Sequence, residues 1–261
     1  MTDPRDKPQL ARTLLRTAFV VTVMLSALLF GSVHAVMRNF VYVVLLTITA
    51  VFLYVEFVRS SESPVSVPSR VRLLLIVGGI FAAYVAFQTM PLPRGLVRLL
   101  SPTAAGLRAE AFAADEPGGA WPLTISPQWT RISLIMTVGC LAALLLAYVL
   151  FRTHDRAFTL ANAVVFMGAL LSVQAFLQQA LSPGLAYGFW ASRARGPLGP
   201  FVNPNHFANY VGLTLPVALG LYLADKRDLR GFRLLKAPVL GRFLLWDFLL
   251  LGQIGLILAA L

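Results

Sequence analysis

The chain has 261 residues, of which 58% are hydrophobic and only 13% charged, with a net charge of +11 and a mean hydropathy of +0.76. A soluble domain carries roughly a quarter charged residues, so this composition excludes an ordinary soluble fold and points to an integral membrane protein. The single cysteine, Cys140, excludes a disulfide framework, and with His34, His154 and His206 far apart no metal-ligand spacing exists.

Crossing about 30 Å of hydrocarbon takes roughly 20 apolar residues of helix. Taken in order, stretches of that kind predict spans at 17–37, 40–58, 72–90, 132–151, 157–181, 204–224 and 243–261. The predicted fold is therefore all-α, a polytopic transmembrane helical bundle of about seven spans in a single membrane domain. No small-residue cleavage site follows the first span, which reads as a retained helix. The long segment 91–130 breaks this rhythm: Arg94 to Leu100 and the stretch opening Ser101-Pro102 read as short amphipathic helices lying in the membrane interface. Asp115-Glu116-Pro117-Gly118-Gly119 ends them, and Trp121 and Trp129 bracket the return to the fourth span.

The basic residues fall between spans, as membrane topology requires, which removes the need to invoke nucleic acid. One side collects Arg5, Lys7, Arg12, Arg16, Arg59, Arg70, Arg72, Arg152, Arg156 and the run from Lys226 to Arg242. The other holds fewer: Arg38, Arg94, Arg98, Arg108, Arg131, Arg193 and Arg195. The positive-inside bias then puts the N-terminus in the cytoplasm and the C-terminus at the outer face. The seventh span stops at Leu261, about where it would reach the far side, so the sequence reads as one portion of a larger unit.

The chemistry-bearing candidates gather where the sixth span begins. Asn203 suits a helix N-cap and Pro204 the first helical position. Asn205, His206, Asn209 and Tyr210 then occupy the first two turns, where polar groups are costly in lipid unless they line a cavity. Arg193 and Arg195, beside Gly196 and Gly199, are placed either to clamp a phosphate or to reach lipid headgroups. Gln174 and Gln178, with Gln179 beside them, lie near the outer end of the fifth span at the depth of Asn205. They are open to two readings, a shared polar recess or polar glue between helices. His34, Arg38 and Asn39 read as the polar residues any turn needs. His206 alone assigns no catalytic role, and no intramembrane acidic pair, phosphate-cradling glycine loop or nucleophile elbow is present, so no metal ion or cofactor is expected.

The segment RGPLGPFVNPNHFANYVGLTLPVALG resembles the Gly-x-Phe-x-Asn-x-Asn-His-Phe-Ala pattern of the O-antigen ligase and polymerase family. LLFGSVHAVMRN, FQTMPLPRGLVRLLSP and WPLTISPQWTR are similar, in the same order, to the end of that family's first span, its third span with the following loop, and the lead into its fourth. The resemblance implies a multi-pass protein of the bacterial inner membrane that moves glycan from a polyprenyl diphosphate to an acceptor (lipid, glycan or protein) at the periplasmic face, inverting the anomeric carbon without a metal. Arg195, Arg193, Asn203, Asn205, His206, Asn209, Gln174 and Gln178 are the residues expected to contact that substrate. The family's base, a histidine in a large periplasmic loop between later helices, has no counterpart before Leu261, and His206 does not match it by position. Two related readings stay open, a protein O-oligosaccharyltransferase and a non-catalytic helper that binds lipid-linked glycan. A small-solute transporter would show discontinuous spans in corresponding halves, which the sequence lacks. Thiol-reagent mapping with single cysteines introduced at Ala194 and Asn205, in a Cys140→Ala background, is expected to label both from the outer side only.

Overall fold

The computed structural model describes residues 6–59, 67–111, 119–191 and 199–227. Its elements are helix α1 (Asp6–Leu28), a short turn at Phe30–Ser32, α2 (Ala35–Tyr54) running into a wider π turn (Val55–Arg59), α3 (Ser69–Gln88), strand β1 (Pro91–Leu92), α4 (Arg94–Leu100), α5 (Pro102–Ala111), β2 (Trp121–Pro122), α6 (Pro127–Leu150), α7 (His154–Leu181), the hairpin β3 (Leu185–Ala186) and β4 (Trp190–Ala191), and α8 (Pro204–Arg227). Among the described residues five helices are long and apolar enough to cross a membrane: Gln9–Leu28, Ala35–Phe57, Ser69–Gln88, Pro127–Leu150 and His154–Leu181. α8 is 24 residues long and carries Pro216 inside it. The span expected at 243–261 lies outside the described residues.

The first helix differs from the apolar stretch that announced it. It begins at Asp6 and stops at Leu28, and Phe30, Gly31 and Ser32 follow with φ of 55°, 62° and 56°. Three consecutive left-handed residues cannot continue a right-handed helix, and the two that carry a Cβ cost roughly 1–2 kcal/mol each. Nothing in the hydropathy of residues 17–37 marks this break.

Two compact units are present, residues 1–48 with 150–261, and residues 49–149. In the first, α7 and α8 run antiparallel. Val165 packs with Ala218 and Leu221, while Leu171 and Ala175 pack with Phe207 and Val211. Gly168 allows their closest approach, since a Cβ there would lie 2.5 Å from Thr214 Oγ1. That hydroxyl is buried and donates to the Val211 carbonyl at 2.8 Å, so the hydroxyl is satisfied within its own helix. α1 runs parallel to α7: Ala27, Met24 and Leu28 reach the Leu171–Ala175 end, and Phe19 meets Phe151, just ahead of α7, at 5.7 Å.

In the second unit α3 shows the signature of a helix surrounded by lipid. Ala82 and Val85 are buried, whereas Leu73, Ile80, Phe81 and Tyr84 are exposed around it, an arrangement that water would not tolerate over such an area. A Cβ on Gly78 would meet Leu141 Cδ2 at 2.4 Å, which marks the contact of α3 with α6. The 91–130 segment is tied to itself: Pro91 pairs with Pro122 and Leu92 with Trp121. The Arg94 guanidinium lies 4.7 Å above the Trp121 ring and its Nε donates to the Gly119 carbonyl at 3.0 Å, and Arg108 donates to the Thr124 carbonyl.

Replacing Gly168 by Leu is expected to pry α7 from α8 and cost about 1–3 kcal/mol, seen as a lower midpoint of thermal unfolding in detergent, while Gly212→Leu, where a Cβ meets open space, leaves the midpoint near wild type.

Candidate functional site

One end of the first unit assembles from five short pieces: the Phe30–Ser32 turn, the last turn of α7, the β3–β4 hairpin, the 199–203 turn and the first turns of α8. Phe201 joins them. It is buried at 4% exposure, and its ring would lie 2.2 Å from a Cβ on Gly31, so the absent side chain of Gly31 is the slot that the ring occupies. Gly31 serves twice, because its φ of 62° is also one that glycine adopts at no steric cost. Phe201 further meets Phe207 at 6.0 Å and Tyr210 at 5.8 Å. Gly199, at φ 54°, lays the turn against α7, with Ala175 Cβ and the Leu171 carbonyl each 3.5 Å from where its Cβ would be.

From that anchored turn α8 starts. Asn203 Oδ1 accepts the backbone N–H of Asn205 at 2.9 Å, and the Asn203 carbonyl accepts the N–H groups of His206 and Phe207 at 3.1 and 3.2 Å. This is N-cap geometry, worth about 1 kcal/mol. The cap fixes where α8 starts, and packing against α7 fixes which way it is turned. Phe207, Val211, Thr214 and Ala218 face α7, and with 3.6 residues per turn Asn205, His206 and Asn209 are left on the open side, all three exposed. They continue downward into the exposed Leu213.

The two sets of amides are thereby separated. Gln178 sits on the same buried face of α7 as Leu171 and Ala175, at 7% exposure, and neither atom of its amide has a hydrogen-bond partner. Gln174 is half-buried. Among the described residues no side-chain hydrogen bond joins Asn205, His206 or Asn209 to either glutamine. The structure thus places one amide inside the packing and the polar turn of α8 outside it, rather than lining one recess from both helices. Arg193 and Arg195 lie outside the described residues.

An aromatic cluster completes this end, and of its rings only His34 stands out in the sequence. Phe30 lies 5.3 Å from Tyr187 and 5.7 Å from Trp190, and Trp190 lies 5.6 Å from the His34 ring. The Tyr187 hydroxyl donates to the Leu28 carbonyl, one of those left over where α1 ends. Burial pushes the Tyr187 phenol above its ordinary pKa, so it remains a neutral donor throughout the physiological range. Trp190 and Phe189 stay exposed. The available signal was the run Tyr187-Gly188-Phe189-Trp190, hidden inside a stretch that reads as apolar.

Chemically, the end presents flat aromatic faces, amide and imidazole hydrogen-bonding groups, and a helix N-terminus with its partial positive charge. Fold and site together define a helical protein with membrane-length apolar helices and a polar, aromatic end on its α1–α7–α8 unit. No known protein family matches the chain, and neither do curated proteins or solved structures at a significant level.

Gly31→Ala is expected to expel the Phe201 ring and destabilise this end more than Asn203→Ala, which removes only the cap. Hydrogen exchange of the amides of residues 205–209 would read both, with the larger loss of protection in Gly31→Ala.

Proposed function

We propose that this chain forms part of a membrane glycosyltransferase of the O-antigen ligase and polymerase kind, holding a polyprenyl-diphosphate-linked glycan at the periplasmic face of a bacterial inner membrane. The observation that carries the reading is the Phe201-anchored, Asn203-capped start of α8, which leaves Asn205, His206 and Asn209 open beside an exposed aromatic cluster. It coincides with the segment whose residues resemble the family's motif.

Each part answers a need of that chemistry. Transfer forms a bond from an acceptor hydroxyl oxygen to the anomeric carbon and breaks the bond from that carbon to the diphosphate, which departs with the electron pair. The departing diphosphate calls for cations and oriented N–H groups. Arg195 and Arg193 precede the turn in sequence, and the N-terminus of α8 adds its dipole. Sugar hydroxyls call for groups that both donate and accept, which Asn205, Asn209 and His206 supply. Sugar C–H faces suit the electron-rich faces of Trp190 and Phe189. The proton of the acceptor must go to a base, and no residue of the chain is assigned that role; His206 is a ligand contact in this reading. Gln178 supports the end from within, its amide buried on the packed face of α7.

Arg195→Ala is expected to weaken binding of undecaprenyl diphosphate, measured by tryptophan quenching in detergent, by tenfold or more, the scale of one charge-assisted contact of about 1.5–3 kcal/mol. Unchanged affinity at matched folding removes the clamp. Transfer of glycan to an added acceptor by the same preparation separates an enzyme from a binding protein without turnover.

A further inference from the structure

At the opposite end of the same helices, where α1 and α7 begin, an open groove of about 270 Å³ is lined by the polar Arg16, Arg156 and Thr13 and by the apolar Val20, Val21 and Phe151. We propose that this groove binds the phosphate of an anionic phospholipid, with the first part of an acyl chain lying along its apolar side.

The guanidinium of Arg16 is held in place from its own helix. Its Nε donates to the Arg12 carbonyl at 3.2 Å and its Nη2 to Thr13 Oγ1 at 2.8 Å, which leaves three of its five N–H donors unspent. Arg156 enters the groove from the first turn of α7 and lines it together with Arg16. Two like charges directed at one space repel, and an anion between them turns the repulsion into attraction on both sides. Among the described residues no carboxylate takes that place. The adjacent Asp155 lies beside His154, at 4.0 Å, and is almost fully exposed. Planar guanidinium forks suit phosphate, two of whose oxygens each accept one of a fork's two parallel N–H bonds.

What distinguishes a lipid from free phosphate is the other half of the groove. Val20 lies four residues along α1 from Arg16, about 6 Å deeper at 1.5 Å per residue. That spacing carries a ligand from a charged head to its first methylenes. Phe151, packed on Phe19, forms a firm apolar wall, and Val21 is exposed to the groove. The α1 and α7 starts also lie on the side where the basic residues concentrate, the side that faces anionic lipid in the topology expected from the sequence. The inference is independent of the proposed glycan chemistry, because it concerns the other end of the unit and shares no residue with that site.

Native mass spectrometry of the full chain, released from detergent after incubation with phosphatidylglycerol, tests it. One lipid is expected to remain bound, and the double variant Arg16→Gln with Arg156→Gln to retain at least tenfold less. Arg70→Gln with Arg72→Gln removes the same charge from the start of α3 and is expected to retain the wild-type amount. Val21→Trp, which fills the groove and keeps both arginines, is expected to lose the lipid as well, and it serves as the reading if the arginine variant does not fold. Equal losses in the two arginine pairs, or equal retention of phosphatidylcholine, would overturn the proposal in favour of bulk attraction to lipid. Displacement of the lipid by millimolar glycerol 1-phosphate or inorganic phosphate would overturn the lipid assignment in favour of a free phosphate.

Discussion

The insertion of the Phe201 ring into the space left by Gly31 organises the α1–α7–α8 unit at its polar end. The ring touches the turn after α1, and through Phe207 and Tyr210 it touches α8. Gly199 lays the same turn on α7. Once the turn is held there, the Asn203 cap sets where α8 starts, and packing of Phe207 and Val211 against Leu171 and Ala175 sets its rotation, which decides which residues face inward and which stay open. A larger residue at position 31 would meet both a left-handed backbone and an aromatic ring, so two independent constraints fall on one glycine.

Such a constraint matters more in lipid than in water. Apolar side chains gain little by leaving hydrocarbon for a protein interior, so helix association depends on close backbone approach and on polar groups that find partners. The Gly168–Thr214 contact of α7 with α8 and the Gly78–Leu141 contact of α3 with α6 are of the first kind. The hydroxyls of the helices follow the second rule from within: Thr22 donates to Ala18, Thr47 to Val43 and Thr137 to Ser133, each to a carbonyl of its own helix. These three threonines are thus carried across the apolar region with their donors satisfied. Gln178 and Ser172 depart from this, buried on one face of α7 with no hydrogen-bond partner for their side chains, where an unmet amide costs about 1–3 kcal/mol.

The ends of the unit are chemically unlike. At one, amides, imidazole and aromatic rings surround a capped helix start. At the other, two guanidiniums share an open groove with threonines and valines. The parallel run of α1 and α7 makes this possible, because it gathers the N-terminal ends of both helices, and the arginines that precede each apolar stretch, on one side. The hairpin after α7 and the turn after α1 meet on the other, tied by Tyr187 to the Leu28 carbonyl.

Composition and uncharged length by themselves determined that the chain builds membrane-length helices, because a backbone in hydrocarbon has no other way to satisfy its hydrogen bonds along a single segment. The N-cap at Asn203 was equally legible, since its chemistry is local to three residues. Rotation and break points were not. Asn205 and Gln178 share a depth in the sequence, yet only packing between α7 and α8 decided that one faces out and the other in, and that depends on Phe207 and Val211 fitting against Leu171 and Ala175. The end of α1 at Leu28 and the gathering of Phe30, His34, Tyr187 and Trp190 likewise arose from contacts between segments more than 150 residues apart. Hydropathy cannot carry that information, because an aromatic ring inside a cluster and one facing lipid are equally apolar.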